Sequence, residues 1–381
     1  MKNLFKKHLF KKHLFKTKTK TRTTRQIYPN TRSEKNLLLP YYEKTFPNQK
    51  ELGKSIARAF LNLRLISGFV VAPTQSGKTG TMVSLIYELC EHSMLSLPLE
   101  HVFLFTPISS KDWVQQTKER LPPCVNVFHR NHISTLCARA KHLNNILLII
   151  DETHIAAKPH QTLHNLFDEL GLYDIDHCLA RNIKIVHFTA TPSNLEQHFS
   201  DLWKQHGRIF RMQVPSSYVS FDQLVQEKRV FPARPYDDQA VQELRPFLQH
   251  DAAYHIIRTP CGDKHLEVIQ LFKAQLHDID AVFISEPQSH HHLDFYLRRK
   301  PTKHTFIFIK EKLRCAKTIC HRFLGVLYER HVNRPISHVH IQGLPGRVTG
   351  YHRNKQAIVF ANIIHRPHVF PRSFLYINSI D

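Results

Sequence analysis

The chain of 381 residues carries 53 Lys or Arg against 31 Asp or Glu, a formal charge of +22 at pH 7, and 42% of its residues are hydrophobic. That length allows roughly two domains with separate cores, and no apolar run reaches the ~20 residues of a bilayer span, so a soluble protein without a membrane partner is expected. The charge excess favours a polyanionic partner, nucleic acid first of all.

Residues 1–25 hold ten Lys or Arg and no acid, which leaves +12 on the rest of the chain. Leu4-Phe5-Lys6-Lys7-His8 recurs as Leu9-Phe10-Lys11-Lys12-His13 and starts again at Leu14. A five-residue apolar period matches neither a strand nor a helix face, so residues 1–34 are read as a basic disordered tail. Such a tail can serve as a nucleic-acid arm, a nuclear address or a transit peptide.

From residue 35 onward, short apolar runs alternate with segments of helical length, the βαβ rhythm of a parallel sheet. The first-half runs are Phe69–Ala72, Val102–Phe105, Val125–Phe128, Ile146–Ile150 and Ile183–Phe188. Residues 215–250, with Pro215, Pro232, Pro235 and Pro246, read as a connector. The rhythm resumes with His255–Arg258, Ala281–Ile284, Thr305–Ile309, His338–Ile341 and Ala357–Phe360. The expected fold is therefore α/β, with a first domain over 35–214 and a second over 251–381. The seven cysteines are scattered without a CxxC pair and read as reduced thiols, and the run His290, His291, His292 has no second cluster with which to bind a metal.

Ala72-Pro73-Thr74-Gln75-Ser76-Gly77-Lys78-Thr79 follows an apolar strand and precedes a helical stretch. Backbone N–H groups there can wrap phosphates, Lys78 can reach the β and γ phosphates, and Thr79 can ligate Mg²⁺. Asp151-Glu152-Thr153-His154 ends the Ile146–Ile150 strand, where carboxylates face the ligand crevice of an open α/β sheet. Asp151 is placed to hold Mg²⁺ and Glu152 to position or deprotonate an attacking water. Thr189-Ala190-Thr191-Pro192 ends the next strand and can couple these carboxylates to a facing lobe. Gln342-Gly343-Leu344-Pro345-Gly346-Arg347 follows the His338–Ile341 run, and Arg347 on that glycine-rich turn could reach the γ-phosphate across a cleft.

In this order the motifs resemble the superfamily 2 helicases, the DExH-box group in particular, from Gln49 to Arg347. The segments Phe308–Thr318 and Gln342–Tyr351 look most like helicases of large DNA viruses and some phages. The resemblance implies two tandem RecA-like lobes, with Gln49 as the adenine-reading glutamine and Gln342 in the nucleotide site. It further implies nucleic-acid contacts from Thr106, Pro107, Ser109 and Ser110 in the first lobe, and from Arg258, Thr259, Lys312 and Arg314 in the second. One departure stands out: an extra residue separates Gln342 from Gly346, and Gly350 stands where the family has a second arginine.

The expected activity is ATP hydrolysis with Mg²⁺, driving a helicase or translocase on nucleic acid, DNA rather than RNA, inside a cell, in the nucleus or at a viral replication site. A nucleotide-switched clamp without processive unwinding is the alternative, since only about twenty residues follow the last expected strand.

Overall fold

The computed structural model describes residues 31–362 except 63, 92–96, 110, 154–160, 191, 193–194, 286–292, 311–318, 334–342, 352–353 and 355. Residues 1–30 of the basic tail and the expected strand His338–Ile341 lie outside these residues, whereas residues 31–34, read as the end of the disordered tail, begin the helix Thr31–Tyr42.

Two six-stranded parallel sheets form two α/β lobes. The first contains β1 (Ser67–Val71), β2 (Val102–Thr106), β3 (Asn126–His129), β4 (Ile146–Asp151), β5 (Ile183–Thr189) and β6 (Gly207–Arg211), in the order β3-β2-β4-β5-β1-β6. The second contains β7 (Val230–Pro232), β8 (Tyr254–Arg258), β9 (Ala281–Ser285), β10 (His304–Ile309), β11 (Leu324–Tyr328) and β12 (Ile358–Ala361), in the order β7-β12-β11-β8-β10-β9. The expected pair of α/β lobes with parallel sheets is present.

Continuous apolar strands explain why both faces of each sheet are covered. Every residue of β4 and β5 is buried. In the first lobe, Val70, Leu104, Ile149 and Phe188 point into one core with Ile56 and Phe60, whereas Phe69, Phe105, Ile150 and Ile185 point into another with Phe167 and Trp203. The alternation of neighbours between the two cores is the period of two of a strand. His187 on β5 sits among the rings of Phe69, Phe167 and Phe199, with both imidazole nitrogens buried and unpaired. Burial pushes its pKa down to about 3.

Helix α1 (Thr31–Tyr42) and helix α2 (Pro47–Phe60) precede β1, and helix α3 (Lys78–Glu91) follows it. Pro47 occupies the first turn of α2, where its missing N–H costs nothing, and the Gln49 side chain accepts the Phe46 N–H at 3.2 Å.

Several elements differ from the sequence reading. The segment read as a connector supplies the edge strand β7 and a helix over Phe221–Gln226, and Leu224, Ala240, Val241 and Leu244 are buried in the second lobe. Its prolines are compatible with this packing: Pro232 ends an edge strand, and Pro246 is the second residue of the 3-10 turn Arg245–Leu248. Strand β11 is not among the expected strands, because Gly325 interrupts its apolar pattern. A Cβ at that position would stand 2.7 Å from His255 Cε1, so the close approach of β8 requires the glycine.

Candidate nucleotide site between the lobes

The 72–77 loop joins the end of β1 to the first turn of α3. Ala72 N–H donates to the Thr189 carbonyl at 2.9 Å, which ties the loop to the end of β5. Ser76 Oγ donates back to Pro73 O at 2.7 Å, and Gln75 takes a left-handed φ of +60°. The α3 N-terminus brings Lys78 and Thr79 to the mouth of the loop, with the helix dipole favouring an anion there.

Strand β4 delivers Asp151 to the same place. Its Oδ2 accepts the indole N–H of Trp113 at 3.0 Å, and its Oδ1 accepts the Glu152 N–H at 3.1 Å. Glu152 has a φ of +60°, a conformation that non-glycine residues adopt at a cost of about 1 kcal/mol or more. That turn aims its carboxylate at Lys78, with Oε1 3.2 Å from Nζ, Glu152 buried and the lysine side chain 12% exposed. Burial pulls the Lys78 ammonium downward, but the charges of Glu152 and Asp151 outweigh it and hold the pKa above the ordinary lysine value. Burial and the neighbouring Glu152 raise Asp151 to about 6, against the opposing pull of Lys78.

Two carboxylates sharing one lysine in a buried site form a cluster that further positive charge would relieve. Asp151 and the half-buried Thr79 are hard oxygen donors, and Mg²⁺ needs few of these when phosphate and water complete its octahedron. The residues therefore fit Mg²⁺.

Arg347 arrives from the second lobe on the 3-10 turn Pro345–Val348. Its side chain is buried, its Nε donates to Gly343 O at 2.9 Å, and its charge is close enough to Lys78 to oppose the lysine's protonation. The turn is held against the 72–77 loop. Gln75 Nε2 donates to Arg347 O at 2.7 Å and to Gly346 O at 3.3 Å. Tyr218 Oη and Thr349 Oγ1 lie 2.7 and 3.1 Å from Thr74 O, and Tyr351 Oη donates to Ser76 O at 2.9 Å. Gly350 has a φ of +114°, and a Cβ there would come within 3.2 Å of Gln75 Cβ.

Gln49 is buried at this site with its amide against Gly77 and Gly80. Its Nε2 donates to Ser76 O at 3.3 Å while Oε1 accepts from Phe46, so a base could reach only the remaining lone pair and N–H. The Phe46 ring beside it stacks on Tyr351 with centroids 5.1 Å apart. Thr189 and Ala190 are buried at the end of β5, within the same crevice floor.

The expected nucleic-acid contacts fare less uniformly. Thr106 and Pro107 are buried at the end of β2 and Ser109 is exposed. Arg258 is 5% exposed and pairs with Glu329, whose Oε1 lies 2.8 Å from its Nε, and Thr259 is fully buried against His265 and Ile309. Breaking a buried pair such as Arg258–Glu329 costs about 3–5 kcal/mol, so in this structure Arg258 is engaged inside the second lobe. Thr191, Lys312, Arg314 and Gln342 lie outside the described residues. Trp113, Tyr218, Thr349 and Tyr351 are site residues that the sequence reading misses. Trp113 is one of two tryptophans and sits on a polar helix, a mild signal, but nothing local marks the other three.

No family model matches the chain. It is 24% identical over 319 residues to an uncharacterized protein of Acanthamoeba polyphaga mimivirus, covering 77% of this chain and 79% of that protein. Among solved structures it is similar to S. cerevisiae Dbp5 bound to RNA and ADP BeF3, with a TM-score of 0.49 and 12% identity over 89% of this chain and 93% of that one. A DEAD box protein from the hyperthermophile Methanococcus jannaschii gives a TM-score of 0.40 and 14% identity, covering 86% of this chain and 89% of that one. Likenesses of this size say nothing of activity. No helix among the described residues is long and apolar enough to cross a membrane.

Proposed function

We propose that this chain is an ATP-dependent nucleic-acid motor of the superfamily 2 kind, hydrolysing ATP between a first lobe over 35–214 and a second over 251–381 that the 215–250 segment completes with β7. The observation that carries the reading is the cluster of Lys78, Asp151 and Glu152 at the strand ends of one lobe, with Arg347 brought to it by the other.

Before substrate binds, the Lys78 ammonium is neutralised by Glu152. When polyphosphate enters, its oxygens replace that carboxylate as partners of Lys78, and Glu152 is released to accept a proton from the attacking water. The same contact thus stores the base until substrate arrives. Arg347 stands where negative charge grows on the γ-phosphoryl oxygens, and its contact strengthens as the transition state forms. Mg²⁺ held by Thr79 and Asp151 would supply charge neutralisation on the phosphates. Gln49 supports the loop and is the residue beside the base, and Thr189 and Ala190 lie between the carboxylates and the facing lobe. Thr106, Pro107 and Ser109 belong to the proposed nucleic-acid path of the first lobe, with Lys312 and Arg314 on the second.

The test is ATP hydrolysis with no nucleic acid, with single-stranded DNA, with duplex DNA and with RNA, beside strand displacement from a labelled duplex. Stimulated turnover with displacement supports a helicase, and the stimulating polymer decides between DNA and RNA. Turnover without displacement supports a nucleotide-switched clamp, a reading favoured by one observation: the lobes meet through buried hydrogen bonds on the carbonyls of the phosphate loop. Absence of hydrolysis with every polymer refutes both. Action in the nucleus or at a viral replication site belongs to the same proposal.

A further inference from the structure

A phosphate loop turns its N–H groups inward to an anion and leaves its carbonyls facing outward. In this chain those carbonyls are occupied by the second lobe. Thr74 O is met by the hydroxyls of Tyr218 and Thr349, which are 7% and 3% exposed, and Ser76 O is met by Tyr351. The residues come from two stretches joined as a minimal antiparallel ladder, with Val219 N–H donating to Gly350 O at 2.8 Å and Gly350 N–H to Val219 O at 3.0 Å. The same ladder sets the turn that bears Arg347. Thr349 Oγ1 lies 2.7 Å from Gly346 O, and the loop's own Gln75 donates to the Arg347 carbonyl.

Resting on the ATPase reading above, we infer that Tyr218 and Thr349 are positioning residues, whose hydroxyls on the Thr74 carbonyl seat the Arg347 turn over Lys78 before substrate binds. Thr349 has a single hydroxyl proton and two carbonyls within reach, Thr74 O and Gly346 O. The Tyr218 proton is therefore the steadier donor to Thr74. Burial holds the Tyr218 phenol far above its ordinary pKa, so that proton stays in place throughout the working pH range. Neither residue touches a reacting atom; both act through Arg347.

The experiment is a double-variant cycle on the full chain. Tyr218→Phe removes one hydroxyl and keeps the ring, and should lower kcat on the order of ten-fold while the KM for ATP changes little, as expected for an interaction felt mainly in the transition state. Combined with Arg347→Ala, it should add nothing: the double variant should be as slow as Arg347→Ala alone, because the route to the substrate is already cut. Thr349→Val should repeat this pattern and Thr349→Ser should restore the rate, which keeps the question open to test if Tyr218→Phe folds poorly. Effects of Tyr218→Phe and Arg347→Ala that multiply would overturn the inference, as would a change in KM alone. A wild-type chain that hydrolyses no ATP would instead overturn the parent reading, and the inference with it.

Discussion

Replacing Glu152 by glutamine removes a charge and keeps a shape, and the geometry predicts opposite effects on rate and on response to nucleotide. The Lys78–Glu152 contact is 3.2 Å long, between a buried carboxylate and a largely covered ammonium. Two unit charges at that distance attract by about 5 kcal/mol at an effective dielectric of about 20, and removing one member of a buried pair costs about 3–5 kcal/mol. In Glu152→Gln, Lys78 and Arg347 face Asp151 alone, and the site gains a surplus of positive charge. Without nucleotide the variant should melt on the order of 10 °C below wild type. ATP with Mg²⁺ should recover much of that deficit, because phosphates take the place of the missing carboxylate, so the nucleotide-induced rise in Tm should exceed that of wild type. Turnover should fall about 10²–10⁴-fold, since the water loses its base. Thermal melts with and without ATP, beside phosphate release, measure both effects. Normal turnover, or a nucleotide-induced rise no larger than that of wild type, would refute the pairing of base storage and catalysis in one contact.

Arg347→Ala should lower turnover by about 10³–10⁵-fold with little change in ATP affinity, since charge develops only in the transition state; full activity would remove the second lobe from the site. Deleting residues 1–25, with their ten cationic side chains, should flatten the salt dependence of duplex binding by roughly 0.9 in log–log slope for each phosphate that the tail neutralises, while basal hydrolysis is unchanged. An identical slope would leave the tail without a role in binding. His187 stays neutral in the fold with its pKa lowered to about 3, whereas the unfolded chain takes up a proton near 6.5. Its contribution is therefore intact above pH 6.5 and is lost as the pH falls towards 3, at about 1.4 kcal/mol per unit. His187→Leu should raise stability by about 2 kcal/mol more at pH 5 than at pH 7.5 in denaturant titrations, and an equal gain at both values would contradict this.

The 72–77 loop between strand and helix and the Asp151-Glu152 pair at a strand end were legible because each is a contiguous run whose context, an apolar strand before and a turn after, lies within the same dozen residues. The two-lobed α/β fold was legible for the same reason, since buried parallel strands are written as uninterrupted apolar runs. What stayed hidden depends on distant partners. Tyr218 meets Thr74 across 144 residues and Thr349 meets it across 275, and no local pattern announces either contact. Arg258 has the position of a phosphate-gripping residue, yet its environment is set by Glu329, 71 residues later. The prolines of 215–250 masked a segment whose Leu224 and Leu244 are fully buried.

Gly350 ties the missing arginine to the seating of the two lobes. Its backbone lies so close to the phosphate loop that even a methyl group there would press on Gln75. An arginine at position 350 would have to adopt a left-handed φ of +114° and push Gln75 back by a few tenths of an ångström, beside the seam made by Tyr218, Thr349 and Tyr351. A side chain at position 350 and the present seam thus compete for the same corner of the molecule.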